Sequence, residues 1–265
     1  MKRRAVMQCA GAAAVAQWLP ASARADARAV SIGVTPGPHA EIIEVVRRIA
    51  ERRGLTMRVE VRDAGRGINA DVASGGLDIA CFQDAVDFAA EMQRRHGTLV
   101  NVAPTVTRPI AIYSRRLAAL RDLKVGATIG LPREAAAAAR ALILLHNHGL
   151  LTLRDGAGLQ ATPKDVVTNR RRLQLVGLAS ERLAGALDRL DCAVIDSPHA
   201  ARAGLLPARD SIGMEDARTP YTDILAVRHA DRGQPWVATL IESYHSEEVK
   251  HFLLERFQES VRRPW

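Results

Sequence analysis

Eight histidines, three cysteines and a scatter of aspartates are the residues of this 265-residue chain best able to do chemistry. His146 and His148 flank Asn147 just before Gly149, a pattern that places them at a helix C-terminus, where cationic side chains favour the dipole. Two imidazoles without a third ligand make a poor metal site. His245 and His251 fall on a stretch expected as a surface helix and read the same way. Cys81 and Cys192 each sit in an apolar run, LDIACF and LDCAVI, which predicts two separately buried thiols rather than a bridge. No G-x-S-x-G elbow, S-x-x-K, H-E-x-x-H, P-loop or strand-borne G-x-G-x-x-G occurs. Catalysis therefore lacks a nucleophile, a base and a metal; neither an enzyme nor a cofactor is expected.

The elements that must position the remaining polar residues alternate. Short β-branched runs at 30–34, 55–61, 77–82, 99–103, 110–114, 127–131, 191–195 and 224–228 read as mostly buried strands. Between them lie helical stretches: 39–53, with Ile42, Val46 and Ile49 on one face, 135–149, and 235–257. This is α/β organisation, with parallel strands covered on both faces. In such sheets ligands bind beyond the carboxyl ends of the strands. The segments there are TPGPH after Val34, FQDAVD after Cys81, PREA after Leu131 and DSPHA after Ile195. TPGPH either offers a helix N-terminus to an anion or polar ligand edge, or simply makes the turn.

Composition agrees with a folded, soluble chain: 48% apolar and 25% charged. The first 25 residues read as an export signal, with Lys2, Arg3 and Arg4 before a weakly apolar run and Ala23-Arg24-Ala25 as the cleavage site. Sec and twin-arginine routes both remain open. Loss of Lys2, Arg3, Arg4 and Arg24, with no acid among them, lowers the formal charge from +8 to +4. Basic runs such as Asn169-Arg170-Arg171-Arg172 have no interleaved aromatics, so they read as solvated faces and nucleic acid is not an expected partner.

The runs GVTPGPHAEIIE, ASGGLDIACFQ, PIAIYS, RALILL, LLTLRDGAGLQATPKDVV and TPYTDILAVR occur in order from residue 30 to the C-terminal region. Together they resemble the methionine-binding NlpA lipoprotein family, the solute-binding components of ABC importers. The resemblance implies an α/β, two-lobed periplasmic-binding-protein fold of type II-like architecture, with the ligand cleft between the lobes. One lobe would comprise 29–108 and 223–265, the other 109–222. It implies ligand contacts at Phe82, Asp84, Asp87, Arg140, Asp196 and Asp223, with Arg140 on a ligand carboxylate.

Departures from the family are informative. Asp26 stands where the lipidated cysteine would follow the leader, and Cys9 comes too early to serve, so a periplasmic chain without a lipid anchor is expected. Asp84 and Asp87 replace a histidine and a tyrosine, a second family tyrosine falls on or near Gly65, and the two amide positions fall at Pro198 and Asp223. Asp223 and Asp196 offer carboxylates in place of amides. The cleft is expected to be more acidic and less apolar than a methionine pocket, with Arg108 or Arg133 as partner cations. The expected function is capture of a small amino-acid-like ligand by a monomer, for delivery to a membrane permease and its ATPase. The alternative is a sensing or scaffolding protein that kept the fold without transport.

Overall fold

The computed structural model describes residues 29–63, 65 and 67–265; the leader read over 1–25 lies outside the described residues. Val30–Val34 (β1) is buried at every position, as a strand covered on both faces must be. Gly37, at φ 82, turns the chain into Pro38–Arg52 (α1), whose first-turn proline gives up an amide that has no helical partner there. There follow Met57–Val61 (β2), Ile68–Ser74 (α2), Ile79–Cys81 (β3), Ala85–Arg95 (α3) and Leu99–Pro104 (β4).

The chain then crosses to a second sheet. Its elements are Ala111–Tyr113 (β5), Thr128–Pro132 (β6), Ala135–Asn147 (α4), the small pair Thr152–Leu153 (β7) and Val166–Thr168 (β8), Gln174–Leu178 (β9), Ser180–Ala186 (α5), Cys192–Ile195 (β10), Ser197–Arg202 (α6), Pro207–Asp210 (α7) and Ser211–Met214 (β11). A second crossing returns it to the first sheet as Ile224–Arg228 (β12), followed by Pro235–Tyr244 (α8) and Glu247–Phe257 (α9).

The strand orders β2-β1-β3-β12-β4 and β9-β6-β10-β5-β11 match place for place. The fourth strand of each runs antiparallel to both neighbours: β12 against β3 and β4, β5 against β10 and β11. Parallel strands were the expectation, and each sheet keeps them except at this one strand. The reason is entry: β5 and β12 are the first strands laid down after a crossing, so they start at the edge where the parallel strands end. The correspondence pairs β3 with β10 and β1 with β6, and it places the loops after these strands across from one another.

Each sheet has its own core. Ile42, Val46 and Ile49 of α1 pack with Leu240, Tyr244 and Leu253 on one face of the first sheet, and Ile68, Val72 and Phe88 cover the other. In the second, Leu142 and Leu145 of α4 lie on one face and Leu183 and Leu187 on the other. Cys81 and Cys192 are buried in β3 and β10 of different sheets.

Other expectations shift. The helix read over 235–257 breaks at His245–Ser246, because Ser246 caps α9 by accepting from Val249 N at 3.3 Å. His245 Nε2 donates to Pro104 O (2.8 Å), and the ring stacks on Trp265 at 4.7 Å. His146 Nδ1 accepts from Leu153 N (3.3 Å) and His148 Nε2 meets Met214 O (3.1 Å), so both rings join segments of the second lobe. The basic run at 170–172 is not merely a solvated face: Arg171 Nη1 donates to Leu123 O at 2.7 Å.

Candidate ligand cleft

Strand ends of the two sheets converge on a cavity of about 300 Å³ whose polar lining is Asp84, Asp87, Glu134, Arg140, Asp196 and Tyr221. A more open part of the cleft is bordered by Phe82, Asp84, Asp87 and Arg108. The six residues expected to touch ligand therefore divide. Phe82, Asp84, Asp87, Arg140 and Asp196 line the cleft, whereas Asp223 lines neither part.

Asp84 follows β3 and caps α3, its Oδ1 accepting from Val86 N and Asp87 N at 2.9 Å each. Asp196 follows β10 and caps α6, its Oδ1 accepting from His199 N at 2.8 Å. A short acceptor side chain is what a helix N-terminus selects, so two matching loops arrive at the same solution on opposite lobes. His199 Nδ1 also sits 2.7 Å from Asp196 Oδ1; a carboxylate only accepts, so Nδ1 carries the proton. Burial raises the Asp84 carboxyl above its ordinary range, more than its hydrogen bond from the Asp87 amide lowers it. Asp87, in the first turn of α3, is exposed.

Phe82 is partly buried and packs against the cluster that includes Ile68, Val72 and Phe88. A Cβ on Gly65 would lie 2.5 Å from Phe82 Cδ2, and Gly65 has φ +60. With Phe82 in this position, no aromatic side chain can stand at Gly65.

Arg140 projects from α4 into a pairing that sequence reasoning missed. Its Nε donates to Glu215 Oε1 at 3.0 Å, its Nη2 donates to Glu215 Oε2, and Nη2 also reaches Arg108 O at 3.2 Å. Glu215 further accepts from Thr219 Oγ1 (3.0 Å) and Ile110 N (3.3 Å). The guanidinium stacks over the Tyr221 ring, 4.4 Å from its centroid. Among the described residues Nη1 makes no protein hydrogen bond. The Tyr221 hydroxyl is likewise buried without a partner among them, and burial pushes it up to about 12.

Asp223 lies where the two crossings meet, held by backbone bonds Thr105 N→Asp223 O (2.7 Å) and Asp223 N→Val106 O (2.8 Å). Arg108 grips its carboxylate with both ends of the fork, Nε to Oδ2 at 2.6 Å and Nη2 to Oδ1 at 3.1 Å. His39 Nε2 lies 3.0 Å from Oδ2, and His39 Nδ1 is 2.6 Å from Thr35 Oγ1. Burial alone would raise this carboxyl, but Arg108 and His39 outweigh it and hold Asp223 well below the usual carboxylate range. TPGPH thus makes the turn and also delivers His39 to the second crossing. Of the two partner cations considered, Arg108 meets Asp223, while Arg133 is exposed beside Glu134 at 3.9 Å.

Glu215, Tyr221 and His39 carried no site signal of their own. Glu215 is separated from Arg140 by 75 positions, and His39 looks like any first-turn residue of an amphipathic helix.

A profile of the NlpA lipoprotein family matches residues 30–265. The chain is 33% identical to "Outer membrane lipoprotein 2" of Mannheimia haemolytica over 89% of its length and 86% of that protein. It is 30% identical to "D-methionine-binding lipoprotein MetQ" of Yersinia pestis, over 89% and 88%. Among solved structures, a nutrient-binding protein from Burkholderia cenocepacia bound to methionine superposes with a TM-score of 0.73 at 33% identity, covering 89% of this chain and all of that one.

Proposed function

The chain belongs to the NlpA lipoprotein family, and we propose that it is the extracytoplasmic solute-binding component of an ABC importer. In this reading two lobes, 29–108 with 223–265 and 109–222, close on one small amino-acid-like molecule and present it to a membrane permease and its ATPase. The observation that carries it is the interlobe cavity with Arg140 at its wall. Glu215 and the Arg108 carbonyl orient the guanidinium and leave Nη1 for a ligand carboxylate. Apolar walls with a few placed polar groups are what small-ligand sites require. Names of relatives that include methionine support an amino acid as cargo.

A ligand held between lobes stabilises the closed state by its differential affinity, with the crossings near Arg108 and Asp223 as hinges. X-ray scattering should show the protein compact when saturated with the ligand that native mass spectrometry finds after purification. An unchanged radius of gyration would defeat the closure mechanism. Export follows from the Ala23-x-Ala25 pattern: N-terminal sequencing of periplasmic material should begin at Asp26, and an acylated N-terminus would contradict a free periplasmic product.

The second reading, a sensor or scaffold without transport, is favoured by Asp223. The residue that resemblance assigns to the ligand's ammonium is already engaged by Arg108 and His39. Ligand-dependent stimulation of the permease's ATPase in vesicles separates the two.

A further inference from the structure

The charges of the cleft do not cancel where resemblance would place them. Both arginines are committed to acids: Arg108 to Asp223, and Arg140 to Glu215. Asp223 has an N–H donor on each oxygen, so an incoming ammonium there would have to break a buried pair. Asp84 and Asp196 are different. Neither is ion-paired to an arginine or lysine among the described residues, although Asp196 accepts from His199 Nδ1 at 2.7 Å; they descend from matching loops on opposite lobes, and they line one cavity. Asp84 uses only Oδ1 on its helix, and its loop is stitched to the second crossing through Ala85 N→Thr222 O (2.9 Å) and Ile224 N→Gln83 O (3.1 Å). The acid on the first lobe is therefore fixed to the hinge rather than to a free loop.

A second observation points to a ligand in the same cavity. Tyr221 is only 7% exposed, lines the same cavity with its ring under the Arg140 guanidinium, and its hydroxyl has no hydrogen-bond partner among the described residues. A buried hydroxyl left without a partner is costly, and a polar ligand group would relieve it.

Resting on the solute-binding reading above, we propose that Asp84 and Asp196 form a cation clamp closed by the two lobes, and that the cargo is an amino acid with a cationic side chain. The ligand's carboxylate takes Arg140 Nη1, while its two ammonium groups are shared between the two carboxylates and the Tyr221 hydroxyl. A zwitterion with a neutral side chain supplies one ammonium for two carboxylates and leaves the closed cleft negative, which a low-dielectric interior penalises. Exposed Asp87 and Glu134 add to the negative field at the rim.

Calorimetry compares L-lysine and L-ornithine with L-norleucine, which has lysine's chain without the charge, and with L-methionine. The basic amino acids should bind at least about 10-fold tighter than norleucine, the scale of one charge-assisted contact. Asp84→Asn and Asp196→Asn keep an N-cap acceptor and should melt as the parent does, yet each should erase the lysine-over-norleucine ratio. Scattering on the same samples should show lysine-driven compaction. Norleucine or methionine binding as tightly as lysine, with compaction, overturns the clamp and leaves the solute-binding reading standing. Absence of binding and compaction with all four overturns both.

Discussion

Arg140→Ala should destabilise the ligand-free protein by about 3–5 kcal/mol, before any ligand is considered. Glu215 is buried and makes two of its contacts to this guanidinium, so truncation leaves a carboxylate out of water with only Thr219 and Ile110 as donors. The Tyr221 ring loses its cation as well. The same variant should weaken binding of the co-purified ligand by roughly 30-fold to several thousand-fold, the consequence of about 2–5 kcal/mol for one partner of a buried charged pair. Denaturant unfolding separates the two losses. Arg140→Met combined with Glu215→Leu should regain most of the stability and none of the binding, since apolar replacement of a buried pair is often neutral or better. Native-like unfolding of Arg140→Ala would mean that water screens the pair and that Glu215 does not position the arginine.

Asp223→Asn is expected to cost a similar amount, about 3–5 kcal/mol, because it strands Arg108 where the two crossings meet. It also predicts a pH signature. The folded carboxyl of Asp223 is held below its unfolded value of about 3.9, so its contribution is fully present above that value. As pH falls through 3.9 toward the lower folded value, the unfolded chain binds the proton first and the contribution disappears. Stability of the parent protein should therefore drop between about pH 5 and pH 3 by more than that of Asp223→Asn, which has no proton to take up there. Parallel curves for the two proteins would show that Arg108 and His39 do not depend on this charge.

Most of the scaffold was legible because strands of buried sheets are continuous apolar runs and helices here repeat their apolar face, as in Ile42, Val46 and Ile49. Orientation was not legible. Nothing in AIY or ILAVR says that these strands run against their neighbours, since direction depends on where the chain enters the sheet. QLVGL and SIGM carry a weak pattern, because each forms an edge strand that is at most half-buried. Among site residues, the positions after strands could be read from pattern, and Asp84 and Asp196 lie there as expected. Their partners could not, because pairing of Arg140 with Glu215, or Asp223 with His39, joins residues 75 and 184 positions apart. A carboxylate in sequence carries no mark of whether a cation already occupies it.

The interleaved strand order also governs how the molecule can be assembled. The second sheet is drawn from one uninterrupted stretch of chain, β5 to β11, so it can be completed without any other segment. The first cannot. In it β4 is hydrogen-bonded only to β12, which is made after the whole of the second lobe. Read from the N-terminus, β4 is synthesised long before it has a neighbour, and β3 presents an open edge for the same interval. Closure of the first lobe is thus a late event that joins segments more than a hundred residues apart, the kind of non-local pairing that is slow and exposes a strand edge while it waits.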